Sequence, residues 1–201
     1  MFASGCGGNS SSTSGGTCNA AATCGGILDG TWQLDTTCVE GNLAAAMESA
    51  AGLPSACSNV FQSATPSITG TVTFANGSET DNITESLDAT LLYTSACVGA
   101  VAGTTVTLNA SVCSLLGPEL VSQGDFSSAT CTFASGGCSC SVASTSPPDT
   151  TPQAYTISGH TIVYADGSDP MDYCVSGTTL TTSGSVTGLP GVTFVSTAHK
   201  L

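Results

Sequence analysis

Apolar and polar residues alternate along much of this chain, the period expected of strands with one face buried. Leu28, Trp32 and Leu34 are interleaved with Asp29, Thr31, Gln33 and Asp35, which predicts a first strand. Ile68, Val72 and Phe74 alternate with Thr69, Thr71 and Thr73. After Asn76-Gly77, the residues Ile83, Leu87, Ala89, Leu91 and Tyr93 alternate with Thr84, Ser86, Asp88 and Thr90. This predicts a hairpin joined by a turn of several residues. Glu85 breaks the rule, because it shares a face with Ile83, Leu87 and Leu91. Either it is a polar group near the mouth of a lined interior, or the strand begins after it, which is the reading taken here.

Two interruptions carry a helical pattern. Over residues 42–52, Asn42 is a cap, Leu43, Met47 and Ala50 share one face, and Gly52 and Pro54 stop the helix. Over residues 108–123, Asn109 caps and Gly117-Pro118 breaks, which predicts one or two short turns beside Cys113. From Ser127 onward the pattern is again strand. A repeat appears there: Tyr155-Thr-Ile-Ser-Gly-His-Thr-Ile162 matches Tyr173-Cys-Val-Ser-Gly-Thr-Thr-Leu180, with an Asp166-Gly167 turn between the copies. Successive hairpins without long crossovers make an antiparallel meander. The expectation is an all-β, mainly antiparallel fold of roughly eight to ten strands with one or two short helices, closed into an up-and-down barrel to remove its edges. A two-sheet sandwich is the competing architecture.

Composition bounds the setting. Residues 1–23 are rich in Gly, Ser and Thr and read as a signal remnant and flexible tether; residues 24–201 form one domain, long enough for a hydrophobic core. Fourteen acidic residues face Lys200 as the sole Lys or Arg, for a net charge of −13. That makes nucleic acid and anionic lipid headgroups poor partners, since both require clustered cations. Eleven cysteines suit an exported chain in an oxidising compartment.

The odd cysteine is Cys6. Ala3-Ser4-Gly5-Cys6 resembles the end of a bacterial lipoprotein signal, in which the cysteine is diacylated at sulfur and becomes the mature N-terminus. Ala3 replaces the usual Leu, and Met1-Phe2 is too short for the basic and apolar regions of such a signal, which implies a truncated or misassigned start. A plain terminus with an incidental cysteine is the alternative. On the first reading Cys6 anchors the protein to a membrane through lipid, as no run approaches the apolar length of a spanning helix.

Ten cysteines remain: Cys18, Cys24, Cys38, Cys57, Cys97, Cys113, Cys131, Cys138, Cys140 and Cys174. Excursions bracketed by cysteines suggest Cys38 with Cys57 and Cys97 with Cys113, and proximity suggests Cys18 with Cys24. The other four are left to pair among strands, and sequence does not fix the connectivity.

Gly30-Thr31-Trp32 near the first strand is similar to the G-x-W of lipocalin-like barrels. With residues 71–77, Gly137-Cys-Ser-Cys140 and Tyr173-Cys-Val-Ser-Gly177, the layout resembles a group of cysteine-rich bacterial lipoproteins of that plan. The resemblance implies barrel closure by Gly30 and Trp32, with a late basic residue packed over the tryptophan. Lys200 is the candidate, and a solvated terminal lysine is its alternative. It also implies a capacity for small apolar molecules.

Other chemistry is sparse. Cys138-x-Cys140 lacks the spacing of a metal or redox pair, and His160 and His199 are the chain's imidazoles. His160 reads as a solvent-facing turn residue. Asp166, Asp169 and Asp172 lie in one loop, where calcium competes with a simple turn and the turn is preferred. No nucleophile, base and orienter can be assembled, so no catalytic residue, metal or cofactor is assigned. The expected protein is a non-enzymatic lipoprotein of the bacterial cell envelope that binds a small apolar ligand. The alternative is an interaction module with a filled barrel. An apolar cavity of a few hundred cubic ångströms would separate them.

Overall fold

The computed structural model describes Cys18, residues 23–124 and residues 126–201. Cys6 and nearly all of the proposed tether lie outside the described residues. In chain order the elements are β1 (Gly30–Glu40), α1 (Leu43–Ala50), a 3-10 turn (Ser55–Cys57), β2 (Phe61–Ala75), β3 (Ser78–Thr94), α2 (Ser95–Ala102) and α3 (Ala110–Ser122). Then follow β4 (Ser128–Ala134), β5 (Gly137–Ser146), β6 (Gln153–Ser158), β7 (Thr161–Tyr164), β8 (Met171–Ser176), β9 (Thr179–Ser185) and β10 (Thr193–Lys200). The fold is mostly antiparallel β. Eight strands make a ring in the order β2-β1-β10-β9-β8-β7-β6-β3, and the β2–β3 pairing closes it. The meander expected from the repeat supplies β6 to β9.

The long β2–β3 hairpin organises the molecule. Its turn is tighter than the pattern suggested: Ala75 pairs with Ser78, and Asn76 (φ 54°) and Gly77 (φ 74°) alone span the gap. Two successive positive φ values match the twist of the strands, which is why Asn-Gly suits the position. Farther along, Gly70 (φ 122°) faces Ile83, and a Cβ there would stand 2.2 Å from the Asn82 carbonyl oxygen, so only glycine allows the two strands to approach.

The free edge of β3 changes neighbour along its length. Ser78 and Glu79 pair with β6, and residues 85–94 pair with β5, which carries β4 on its far side. The lower part of the hairpin therefore belongs to the ring and the upper part to a cap made of β4, β5, α2 and α3.

Several elements differ from the sequence expectation. β1 runs on to Glu40 past an irregularity between Leu34 and Thr36. β3 begins at Ser78, so Glu85 lies inside the strand rather than before it. A third helix, α2, is present: Thr94 Oγ1 accepts from the Cys97 N–H, and Gly103 (φ 67°) ends it. α3 passes through Gly117-Pro118 instead of breaking. Gly117 is buried where α3 lies on β4, and a Cβ there would stand 2.9 Å from the Ala129 carbonyl oxygen.

Five disulfides are formed: Cys18–Cys38, Cys24–Cys174, Cys57–Cys97, Cys113–Cys138 and Cys131–Cys140. Cys38–Cys57, Cys97–Cys113 and Cys18–Cys24 are not pairs. Instead of clasping its own excursion, each cysteine joins elements brought together by the sheet. Cys138 and Cys140 lie two residues apart on one face of β5, and reach α3 and β4 respectively. The number of disulfides points to an oxidising, extracytoplasmic setting. No helix among the described residues is long and apolar enough to cross a membrane.

Candidate functional site

Inward-facing side chains of the ring surround a cavity of about 540 Å³. It runs from Trp32 and Phe74 at one end to Pro66, Leu87 and Leu189 at the other. Alternation explains the lining: Trp32 and Leu34 of β1, Ile68 and Val72 of β2, and Leu180 of β9 are the apolar phase of their strands. Many of these residues are only half-buried, because they face a void.

The Trp32 end is closed by residues that interlock. Trp32 is fully buried, and its Nε1–H donates to the Leu28 carbonyl (2.7 Å). Leu28, Phe74, Ile162, Tyr164, Tyr173, Leu180 and Ala198 complete this core. Trp32 pairs with Lys200 across β1 and β10, Lys200 Nζ stands 5.2 Å from the centre of the indole, and the ammonium donates to the Asp29 carbonyl (2.7 Å). Such a contact is worth about 0.5–2 kcal/mol. Gly30 makes room for it: with φ 133°, a Cβ there would fall 2.5 Å from Lys200 Cε. Gly30, Trp32 and Lys200 thus form one unit, in which the glycine admits the lysine stem to the tryptophan. Cys24–Cys174 and the hydrogen bonds of Gly25 with Tyr173 and Val175 hold the entering chain against β8 beside it.

One wall of the cavity is acidic. Glu79, Asp81, Ile83, Glu85 and Leu87 occupy alternate positions of β3 and all line the cavity. Glu79 is 5% exposed and accepts a 2.5 Å hydrogen bond from the Tyr164 hydroxyl. Burial, with the adjacent Asp81 charge, raises its pKa to about 8, against the opposing effect of the Tyr164 bond. Burial also pushes Asp81 up, as do the charges of Glu85 and Asp149, while a hydrogen bond that Asp81 accepts from the protonated Glu79 carboxyl works the other way. With both acids ionised, Asp81 Oδ1 is buried without a hydrogen-bond partner. The Tyr164 phenol is pushed far above its ordinary range by burial and by the Glu79 charge. Glu85 is exposed and lies toward the other end, opposite Ile68.

Glu79, Asp81 and Tyr164 were not singled out from sequence. A signal for the acids existed: carrying the parity of Ile83 back to the Asn76-Gly77 turn places both on the inward face.

The remaining sequence candidates are accounted for locally. His160 is exposed in the turn between β6 and β7, with Nε2 3.9 Å from Asp172 Oδ1. His199 Nδ1 and Asp35 Oδ1 are 2.7 Å apart on the exposed face of β1 and β10. The three aspartates of the 166–172 loop take separate partners: Asp166 accepts from the Ser168 N–H and hydroxyl, Asp169 from those of Thr187, and Asp172 from the Thr161 hydroxyl. Cys138 and Cys140 are both oxidised, which leaves neither sulfur free for a metal.

No family model matches the chain, and no curated protein matches it. The geometry alone carries the functional reading.

Proposed function

We propose that this protein is an extracytoplasmic binding protein with a lipocalin-like barrel, and that it holds a small, largely apolar molecule inside the ring. The observation that carries this is the cavity of about 540 Å³ lined by Trp32, Val72, Ile83 and Leu180. Its volume falls in the usual range for sites that enclose a small ligand, roughly 300–1,000 Å³. A scaffold that only has to be stable gains by filling such a space, because each void forfeits packing. The union of Gly30, Trp32 and Lys200 supports the lipocalin-like reading. Cys6 as a lipid anchor, with the Gly/Ser-rich segment as tether, would place the domain at the bacterial envelope. Intact mass of material recovered from membranes tests the anchor separately from the binding.

The binding reading is tested with a neutral apolar fluorophore such as Nile red and an Ile83→Trp variant. The wild type is expected to take up the dye in the micromolar range. The variant, with its cavity filled by the larger side chain, is expected to lose at least about tenfold in affinity while keeping its five disulfides and its melting temperature. Equal binding by both proteins, or none by the wild type, overturns the proposal.

A further inference from the structure

The inner wall of the ring selects for charge as well as for apolar bulk. Asp81 Oδ1 is removed from water, and the side chain that bonds to Asp81 is a second acid, Glu79, which can donate only while it keeps its proton. Once Glu79 loses that proton the acceptor is unpaired, which costs about 1–3 kcal/mol and is rare in a folded protein. It lies opposite Val72, whose other cross-strand neighbour is Trp32; one step deeper, Glu79 lies opposite Phe74. Two carboxyl groups are thus set among Trp32, Phe74 and Tyr164, where oxygen acceptors and aromatic rings converge.

Among the described residues no side chain supplies a cation to these acids. Lys200, the sole Lys or Arg, is exposed and committed to the Asp29 carbonyl. His160 and His199 are exposed beside Asp172 and Asp35. None of the described residues offers Asp81 a positive donor, and a bound molecule can.

We propose that the molecule held in the ring is a cationic amphiphile, an ammonium group on a short apolar body, with its N–H donors on Asp81 and Glu79 and its apolar part along Ile83, Leu34 and Ile68. This rests on the reading of the cavity as a binding site and adds the chemical class of the ligand. The ammonium takes the place of the proton shared by Asp81 and Glu79 and sets its charge beside aromatic rings, which attract cations. The net charge of −13 favours the same class, since the field of the whole molecule concentrates cations near it and repels fatty acids and other anions. Burial of two adjacent carboxyls favours their protonated forms while no cation is present, and a bound ammonium reverses that preference.

The test compares three probes that share one chain and differ in headgroup: decylammonium, decanol and decanoate. They are titrated into the disulfide-intact protein at neutral pH below their micellar concentrations. Trp32 is the sole tryptophan and lines the cavity, so its emission reports occupancy, and calorimetry gives the affinities. Decylammonium is expected to bind at least about tenfold more tightly than decanol, the size of one charge-assisted hydrogen bond, with decanoate weakest. Asp81→Asn is expected to remove that advantage and leave decanol unchanged. If the ammonium binds no better than the alcohol, or if Asp81→Asn leaves its affinity intact, the ligand class is wrong and the cavity reading stands. Failure of all three to bind overturns both. Should Asp81→Asn not fold, the ranking of the three headgroups on the wild type decides alone.

Discussion

Removing the three disulfides of the cap will dismantle it while the ring still holds. The buried core of the cap contains eleven residues, and six of them are half-cystines: Cys57, Cys97, Cys113, Cys131, Cys138 and Cys140. Its remaining buried side chains are small or medium, with Leu91 and Leu108 the largest. The core at the Trp32 end is built instead from Trp32, Phe74, Ile162, Tyr164, Tyr173 and Leu180, with no cysteine among its buried residues. Each disulfide contributes about 2–4 kcal/mol, so three of them rival the roughly 5–15 kcal/mol of net stability typical of a domain. Hydrogen exchange on a variant with Cys57, Cys97, Cys113, Cys131, Cys138 and Cys140 replaced by alanine will show amides of α2, α3, β4 and β5 losing protection while those of β1, β9 and β10 keep theirs. Replacing Cys113 and Cys138 together by alanine will cost about 2–5 kcal/mol in denaturant unfolding. Simultaneous loss of protection throughout would mean that cap and ring are one cooperative unit, and would refute the division drawn here.

The second large effect concerns Glu79. The folded protein holds the Glu79 proton up to about pH 8, whereas the unfolded chain releases it near 4.5. The stability this carboxyl contributes is whole below pH 4.5, falls as pH rises through that interval, and is gone above about pH 8. Glu79→Gln keeps an acceptor for the Tyr164 hydroxyl and removes the ionisation. We expect the variant to match the wild type near pH 4.5 and to exceed it by about 2–4 kcal/mol at pH 9, a figure set below the full linkage value because a buried site relaxes when it ionises. Thermal melts of both proteins across that range check it. Parallel curves would show that Glu79 ionises in the folded state as it does in the unfolded one. Comparison with the variant is essential, because the other carboxylates also change the pH profile of so acidic a chain.

What the sequence disclosed follows from how locally each feature is encoded. Asn76-Gly77, the repeated hairpins at Tyr155 and Tyr173, and the cap at Asn42 depend on neighbours within a few residues, and all are legible. The contact of Lys200 with Trp32 was accessible through the resemblance to lipocalin-like barrels, which calls for a late basic residue, and Lys200 is the chain's sole lysine or arginine. The disulfides were not accessible. Cys138 and Cys140 choose between α3 and β4 only after the β4–β5 hairpin and the helix are in place, and no spacing along the chain expresses that. Helix α2 escaped because Ala96, Val98, Ala100, Val101 and Ala102 give it no polar stripe to set against an apolar one. Gly117-Pro118 misled for a related reason: the glycine answers to close packing against β4, not to a break in the helix. The acids at the site were missed because the strand was taken to start too late, which left Glu79 and Asp81 in a supposed turn.

Lys200 is spent at the closed end, against a carbonyl and an indole. The fourteen acidic side chains are therefore left without any lysine or arginine partner inside the molecule. Dissolved salt ordinarily weakens attractions and repulsions alike, but here it has almost only repulsions to weaken. The melting temperature should climb steadily with ionic strength from dilute buffer to seawater concentrations, and a flat or falling trend in sodium chloride would show that surface repulsion is not a significant strain on the fold.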